Sequence, residues 1–312
     1  MEDLPDEFVV NILSRLPVKT IIHCKCVLGY GRSYWQPGIL TWVEVEDDPD
    51  HHRLHRDPLM NLNLNLSPIF QDSNILLVGS VDGMVYLLQE CKDNSYICNP
   101  ITREYMILPP PRKQEFRPGT TIMTSCFGVG SITKEYKVIR ISPQLRHKHL
   151  SEAEVYTIGT GGQWRSLSLG GDLLGGGYHG TFLNGHSHWP IYGYDTPEKI
   201  YVFDFDNETF NSSSGFTFWV MKEYGIKESW CKELVIDHRI TPGMRLQPTD
   251  PIEHLRDGTI LMVRGEKLYE YSCEGRTIAD TDYGFDRCFT AMAYRPSFLK
   301  LRNFESERVY VL

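Results

Sequence analysis

Apolar residues recur every four positions at the start of the chain and define one face of a helix. Leu4, Ile12 and Leu16 lie on this face, as expected for the 3.6-residue turn of an α-helix. Pro17 ends the predicted helix, because the residue before a proline is disfavoured in the α region. A second apolar run with helical spacing follows, so residues 1–28 are predicted to form two short helices. Helices of this size need another surface to bury against.

From about residue 75 onward the pattern changes to short strands separated by polar turns. One unit recurs: an apolar strand, a turn rich in polar residues and glycine, and a second strand, as in Tyr96 to Leu108. Other hairpins lie between these units, and Asp82-Gly83 is a strong signal for a two-residue hairpin turn. The strands that open the recurring unit start at residues 96, 155, 200, 218 and 267.

The spacing of these units predicts a β-propeller with a defect. Three intervals, of 59, 45 and 49 residues, suit a propeller blade, for which about 40–50 residues are expected. The interval of 18 residues between positions 200 and 218 cannot hold a whole blade. Residues 211–217 are therefore expected to form a junction where strands are missing. The blade containing Ile200–Phe210 or the one containing Phe218–Ile236 should be incomplete.

Residues 29–74 show neither pattern. Glycines and a proline between positions 29 and 38 argue against a regular helix. The histidines at positions 51, 52 and 55 have no partner cysteines, so a solvated loop is preferred over a metal site. The predicted organisation is a helical segment at 1–28, an irregular linker at 29–74, a β domain at 75–303 and a tail at 304–312.

Composition excludes several classes of protein. The chain has 312 residues, of which 41% are apolar, and a formal net charge of −8. The negative charge and the lack of a lysine-arginine block argue against nucleic acid and anionic membranes as partners. No stretch approaches the roughly 20 apolar residues of a membrane span, and no signal peptide is recognised. The 8 cysteines form no C-x-x-C pair, which predicts reduced thiols and a cytoplasmic or nuclear location.

Candidate catalytic motifs are weak, and no enzyme activity is predicted. Gly185-His-Ser187-His-Trp189 lacks the second glycine of a nucleophile elbow and is interpreted as a strand in which His188 and Trp189 pack. A glycine-rich stretch at 170–180 lacks the lysine of a phosphate-binding loop. Asp204 and Asp206 flank a turn, where aspartate is common. No cofactor and no metal are predicted.

The first 28 residues resemble an F-box, the helical module that binds the Skp-family adaptor of cullin-based ubiquitin ligases. The motifs that carry the resemblance are Leu4-Pro5, Leu16-Pro17-Val18-Lys19 and Lys25-Cys26-Val27. The pattern of the third F-box helix does not follow Val27, so the F-box is incomplete. The resemblance implies that the adaptor contacts Leu4, Pro5, Ile12, Leu13, Leu16, Pro17, Cys26 and Val27.

Residues 75 to 301 resemble the F-box-associated domain of plant F-box proteins, which is related in style to kelch-type propellers. The resemblance rests on strings such as GSVDGMVYL, YICNPITREYMILP and KIYVFDFDNETF, which also occur in the family's order. The expected fold class is therefore mainly β, with a short N-terminal helical F-box-like module before an incomplete β-propeller-like domain.

The resemblance implies a substrate-receptor subunit of an SCF-type ubiquitin ligase. Its partners would be the Skp-family adaptor, a cullin bound through that adaptor, and a protein target held by the β domain. One alternative is a degenerate paralog that binds proteins without coupling to a ligase. Another is a glycan-binding or glycan-processing propeller, which would require convergent carboxylates or an arginine cluster. The residues that would contact the target are not predicted.

Overall fold

The computed structural model describes residues 24–29, 39–47, 52–55, 64–65, 75–89, 94–111, 124–143, 151–169, 180–191, 199–214, 218–221, 230–234, 250–255, 259–264, 267–272, 277–284 and 289–311. These residues form 24 β-strands and one 3-10 helix at Leu301–Asn303. The fold is therefore mainly β, as the sequence predicted.

The strands are numbered in chain order. They are β1 (Cys24–Gly29), β2 (Ile39–Asp47), β3 (His52–His55), β4 (Leu64–Asn65), β5 (Ile75–Val81), β6 (Met84–Gln89), β7 (Asn94–Asn99), β8 (Glu104–Ile107), β9 (Thr124–Val129), β10 (Tyr136–Pro143), β11 (Ser151–Thr157) and β12 (Arg165–Leu167). They continue as β13 (Thr181–Leu183), β14 (His186–Ile191), β15 (Lys199–Asp204), β16 (Thr209–Ser214), β17 (Phe218–Met221), β18 (Trp230–Leu234), β19 (Asp250–His254), β20 (Thr259–Arg264), β21 (Lys267–Ser272), β22 (Thr277–Gly284), β23 (Phe289–Met292) and β24 (Val309–Val311).

The strands are arranged in separate antiparallel sheets. Sheet 1 has the order β24-β8-β7-β6-β5, sheet 2 is β9 to β12, and sheet 3 is β13 to β16. Sheet 4 pairs β17 with β18, sheet 5 is β19 to β22, and sheet 6 has the order β23-β1-β2-β3 with β4 on β2. Neighbouring sheets lie side by side along one edge strand each: β5 contacts β9 and β23, β9 contacts β13, and β23 contacts β19. Sheets that meet along one edge strand each are typical of a propeller-like domain.

The hydrophobic core consists of layers between neighbouring sheets. Phe127 and Val138 of sheet 2 pack with residues of sheet 1 in one buried cluster. The adjacent Cys126 and Ile139 pack with residues of sheet 3 in a second cluster. Successive side chains of a strand point to opposite faces, so sheet 2 is covered on both faces. This double burial explains why its strands are apolar in consecutive positions, with each fully buried large side chain contributing about 1.5–3 kcal/mol.

The hairpin turn predicted at Asp82-Gly83 is confirmed. It joins β5 to β6, and both residues have positive φ, 48° at Asp82 and 80° at Gly83. Two successive residues of this kind characterise the type I′ turn, whose twist matches that of the flanking strands. The predicted strand–turn–strand units are also present as β7–β8, β11–β12, β15–β16, β17–β18 and β21–β22.

The predicted end of the second helix is wrong. Cys24–Gly29 form β1, which pairs with β2 on one side and β23 on the other. The apolar spacing that suggested a helix is local, whereas β23 lies far away along the chain. Strand pairing satisfies the backbone donors and acceptors of β1 on both edges, and this tertiary pairing overrides local periodicity.

The predicted linker and tail contain secondary structure as well. Residues 29–74 include β2, β3 and β4, which complete sheet 6, so the prediction of an irregular linker is wrong. His52 and His55 belong to β3 rather than to a loop, while position 51 lies outside the described residues. Within residues 304–312, Val309–Val311 form β24, which pairs with β8 at the outer edge of sheet 1.

The prediction that strands are missing at residues 211–217 is wrong for residues 211–214. These residues belong to β16 and pair with β15, so the blade containing Ile200–Phe210 has four strands. Positions 215–217 lie outside the described residues. The second candidate for the short blade, Phe218–Ile236, corresponds to sheet 4, in which the described residues supply two strands.

Replacing Gly83 with alanine is expected to destabilise the domain. Gly83 has φ 80°, a conformation that costs other residues about 1–3 kcal/mol. A Cβ at this position would also overlap the Ser297 side chain. We expect Gly83→Ala to lower the free energy of unfolding by at least this amount in urea titrations.

Gly162→Ala is the matched control for that substitution. Gly162 is exposed, and its nearest neighbour to an added Cβ is the Thr160 hydroxyl oxygen at 3.1 Å. Because Gly162 is not among the positive-φ residues, the control should retain its stability. Equal stability of the two variants would contradict the assigned turn geometry.

Candidate functional site

The described hairpin turns of sheets 1 to 3 gather at one end of the domain. In an antiparallel sheet, the turn between strands one and two and the turn between strands three and four lie at the same end. Contacts between sheets show that these ends coincide: the Tyr136 hydroxyl donates to Asp82 at 2.9 Å, and Ser131 abuts Gly185. We call this end the turn face, formed by residues 82–83, 99–103, 130–135, 158–164, 184–185 and 205–208.

Residues 293–308 lie across the turn face, and we call them the C-terminal segment. They follow β23 and lead into β24, so they pass from sheet 6 over sheet 1. The first anchor of the segment is Tyr294, which is buried and donates its hydroxyl hydrogen to the Gly83 carbonyl at 3.1 Å. The segment therefore covers the β5–β6 turn.

Asn99 holds the middle of the C-terminal segment. Its fully buried side chain accepts from the Ile101 amide at 2.9 Å, which closes the β7–β8 turn. The side-chain amide of Asn99 donates to the carbonyls of Ser297 at 3.0 Å and Leu299 at 2.7 Å. One buried amide thus fixes the backbone on both sides of Phe298.

Two carboxylates hold the rest of the segment. Glu104 accepts from the Leu301 amide at 2.7 Å and pairs with the Arg302 Nε at 3.1 Å. Glu307 accepts from the Tyr156 hydroxyl at 2.7 Å and from the Gly159 amide. Burial and then the Glu307 carboxylate raise the pKa of Tyr156, so its hydroxyl stays a donor at neutral pH. The segment is therefore bonded to both sheet 1 and sheet 2.

Asp206 joins the turns of sheets 2 and 3. Its carboxylate accepts from the Ser131 hydroxyl at 2.7 Å, the Ile132 amide at 3.0 Å and the Thr133 amide at 2.9 Å. Desolvation alone would raise the pKa of Asp206, but the hydrogen bonds, led by that from Thr133, outweigh it and hold this pKa well below its usual range. The ionised carboxylate therefore fixes the 130–135 turn.

Lys137 forms a second connection between these sheets. Its ammonium is buried and donates to the Phe205 carbonyl at 2.8 Å, and it pairs with Glu135 at 2.9 Å and Glu208 at 3.1 Å. Glu208 also pairs with Arg165 at 2.7 Å. Desolvation opposes ionisation of Glu208, yet the bonds from Arg165 and Lys137 lower its pKa. A buried charge is costly unless it is paired, so this arrangement stabilises the sheet contact.

The described residues do not assemble a recognisable reaction centre. Cys98 and Cys126 are free and buried, and burial raises the pKa of both thiols to about 12. They are protonated at neutral pH and poor nucleophiles. In the part of the chain that the structure describes, no three His, Cys, Asp or Glu residues are grouped to hold a metal ion. No helix among those residues is long and apolar enough to cross a membrane.

The residues predicted from the sequence are placed as follows. Leu4, Pro5, Ile12, Leu13, Leu16 and Pro17 lie outside the described residues. Cys26 and Val27 lie in β1, opposite Met292 and Ala291 of β23. The adaptor-binding role of all eight stays a prediction.

Two further predictions from the sequence are confirmed. Positions 186–191 form β14, with Trp189 fully buried and His188 partly buried. Asp204 is the last residue of β15 and flanks the 205–208 turn, where its carboxylate accepts from the amide of Asp206 at 2.8 Å. The glycine-rich stretch 170–179 lies outside the described residues. Gly180, which ends the glycine-rich stretch, is described, and a Cβ added there would overlap the Trp189 ring.

Three parts of the turn face were not predicted from the sequence: Asn99, Lys137 and the C-terminal segment. The turn at Asn99 is predictable, because asparagine before a proline commonly starts a turn. Its hydrogen bonds to the carbonyls of residues 297 and 299 have no signature in the local sequence. Lys137 is one of two cations, with Arg140, in the buried strand β10, and a cation in a buried strand indicates a charged partner elsewhere. The C-terminal segment shows no periodicity at all.

Residues 51–213, more than half of the 312-residue chain, match the family model described as F-box associated beta propeller domain. The chain is similar to three F-box proteins of Arabidopsis thaliana. It is 28% identical to At1g53550 over 244 residues, which cover 68% of this chain and 59% of that protein. It is 22% identical to At3g07870 over 351 aligned residues, covering 87% and 83%. It is 28% identical to the F-box protein DOR over 196 residues, covering 53% and 49%. The chain thus spans less than two thirds of the first and third relatives.

Replacing Asp206 with asparagine should weaken the contact between sheets 2 and 3. An amide accepts fewer hydrogen bonds and places an NH₂ group near donors, at an expected cost of about 1 kcal/mol for this solvent-facing site. The folded-state pKa of Asp206 lies below its unfolded value, so its contribution is present above about pH 4 and is lost as the pH falls further. Urea unfolding over a pH series should show a loss at neutral pH and a weaker acid dependence in Asp206→Asn.

Glu305→Gln is the control for this pH series. Glu305 is exposed, so removing its charge should change neither the stability at neutral pH nor the acid dependence. If Asp206→Asn and the wild type lost stability in parallel below pH 4, the role of the ionised carboxylate would be refuted.

Proposed function

The chain belongs to the family of plant F-box proteins that carry an F-box-associated β-propeller domain, and on this basis we propose that it is the substrate-receptor subunit of an SCF-type ubiquitin ligase. The observation that carries the proposal is the match of residues 51–213 to the family model. This range includes β5 to β8 of sheet 1, all of sheet 2, and all of sheet 3 except Ser214. The same sheets carry the turn face.

The proposed mechanism is tethering. The N-terminal residues bind the Skp-family adaptor, the adaptor binds a cullin, and the β domain holds a protein target. A target held in this way meets the ubiquitin-transferring subunit at a high effective concentration, so its modification becomes an intramolecular event. The transfer chemistry belongs to other subunits, and we assign no catalytic residue to this chain. The proposed location is the cytoplasm, the nucleus or both.

The described geometry suits a receptor because the turn face is firmly held. Asp206 and Lys137 bond sheet 2 to sheet 3, and the C-terminal segment bonds sheet 6 to sheets 1 and 2 through Tyr294, Asn99 and Glu307. Loops on a rigid scaffold are the usual carriers of binding sites. A fixed platform also limits the entropy lost when a target is bound.

A second candidate function is protein binding without ligase coupling. The observation in its favour is β1, because Cys26 and Val27 are paired in sheet 6 and cannot at the same time belong to an adaptor-binding helix. Adaptor contacts by the remaining predicted residues would then have to suffice. No observation on the described residues favours a glycan-processing propeller, and we do not propose it.

The adaptor proposal is tested by a double substitution, Ile12→Asp with Leu16→Asp. Burying an aliphatic side chain contributes about 1.5–3 kcal/mol, and each 1.4 kcal/mol is about tenfold in affinity. We therefore expect adaptor binding to weaken by more than about a hundredfold in calorimetric titrations with purified Skp-family adaptor. The melting temperature of the β domain should not change.

Ile107→Asp serves as the matched control. Ile107 is 43% exposed on β8, so the same change of side chain should leave adaptor binding at the wild-type value. Unchanged binding in the double variant would refute the predicted docking residues. A wild-type chain that does not bind the adaptor at all would favour the candidate without ligase coupling.

A further inference from the structure

Two histidines share the face of β14 that points away from sheet 2. Successive residues of a strand alternate between the two faces of its sheet. Ser187 and Trp189 are fully buried against sheet 2, so His186 and His188 lie on the opposite face. Leu183, which pairs with His186 from the neighbouring strand, is 55% exposed there. This part of sheet 3 is therefore open to solvent, and both rings belong to it.

Both rings are held in the same tautomer by backbone carbonyls. The Nδ1 atom of His186 lies 2.9 Å from the Asn184 carbonyl oxygen, and that of His188 lies 3.4 Å from the Thr181 carbonyl oxygen. A carbonyl oxygen only accepts, so each Nδ1 carries the hydrogen and each neutral ring has its lone pair on Nε2. Histidines that bind metals usually have this arrangement, because the bond at one nitrogen orients the ring and makes the other nitrogen more basic.

The distance between the two rings suits a chelate. The ring centroids of His186 and His188 are 6.5 Å apart, with 45° between the ring planes. A zinc ion bound to both Nε2 atoms at about 2.0–2.1 Å would hold the centroids about 5–6 Å apart. A small rotation of the His186 side chain closes this difference, and that side chain, at 43% exposure, has room to make it.

Asp204 places a negative charge beside His186. It lies on β15 directly opposite His186, and its Oδ2 is 3.8 Å from the His186 Nε2, which is too long for a hydrogen bond. The Asp204 carboxylate is fixed in this position, because it accepts from the amides of Asp206 and Asn207 and from the Asn207 side chain. A cation bound to the His186 Nε2 would be attracted to this carboxylate.

We propose that the Nε2 atoms of His186 and His188 bind a divalent transition metal ion such as Zn²⁺, Ni²⁺ or Cu²⁺. Among the described residues no third side chain completes a three-ligand group, so water fills the remaining coordination positions and the ion is exchangeable. Imidazole nitrogen suits these ions, whereas Mg²⁺ and Ca²⁺ require oxygen ligands. The site is therefore selective for transition metals. It does not depend on the receptor function proposed above.

Calorimetric titration of the purified full chain with Ni²⁺ and with Zn²⁺ tests the site. The chain has 11 histidines and 8 cysteines, so the quantity compared is the number of ions that each variant binds. The double variant His186→Asn with His188→Asn should bind one ion fewer than the wild type. Each single substitution should weaken binding of that ion by about tenfold or more, because a chelate holds its ion through two linked contacts. Titration with Mg²⁺ should not distinguish the variants.

Thr181→Ala is the matched control. Thr181 pairs with His188 and is exposed, and the substitution keeps the backbone carbonyl that accepts from the His188 ring. This variant should bind as many ions as the wild type and with the same affinity. In the absence of metal, all variants should keep the wild-type melting temperature.

A second measurement needs no substitution. Diethyl pyrocarbonate transfers an ethoxycarbonyl group to an unprotonated ring nitrogen, and Zn²⁺ should protect His186 and His188 from this reaction in the wild-type chain, as mapped by mass spectrometry. The proposal is overturned if the double variant binds as many ions as the wild type, if either single variant keeps the wild-type affinity, or if Zn²⁺ leaves the reactivity of both rings unchanged. None of these outcomes bears on the receptor function, which the adaptor titration tests separately.

Discussion

The rest of the fold depends on the burial of sheet 2 on both of its faces. One face packs on sheet 1 through residues such as Phe127 and Val138, and the other packs on sheet 3 through residues such as Ile139. A four-stranded sheet of this kind cannot bury its side chains alone, so each sheet requires a neighbour on either side. That requirement places the sheets side by side and brings their turns to a common end.

Side-by-side packing leaves the backbone amides and carbonyls of the turns unpaired at the ends of the sheets. In the turn face, side chains from the neighbouring sheet form hydrogen bonds with these groups. Asp206 accepts from the turn of sheet 2, and Lys137 donates to the turn of sheet 3. In both bonds sheet 2 supplies the donor and sheet 3 the acceptor, and two bonds at separate residues fix the relative register of the sheets as well as their distance. The surface that results is rigid because its polar groups are already paired.

The local parts of this fold could be predicted from the sequence, and the distant parts could not. Asp82-Gly83 encodes its turn in two residues, and the apolar run of β6, Met84–Gln89, is visible in the local sequence. The partner of β1 is β23 at the other end of the chain, and Asn99 bonds to carbonyls about 200 positions away. Periodicity reports only on residues that are close in sequence. For the same reason the helical spacing before Val27 suggested a helix where long-range pairing forms a strand.

Sheet 6 also determines where the N-terminal part of the chain enters the domain. β1 runs antiparallel to β23, with Cys26 opposite Met292 and Gly29 opposite Phe289. Because Met292 leads into the C-terminal segment on the turn face, Cys24 begins its strand at that same end of the domain. Six of the eight residues predicted to bind the adaptor precede Cys24 in the sequence, so the chain that carries them enters the domain at the end where the turns of sheets 1 to 3 gather.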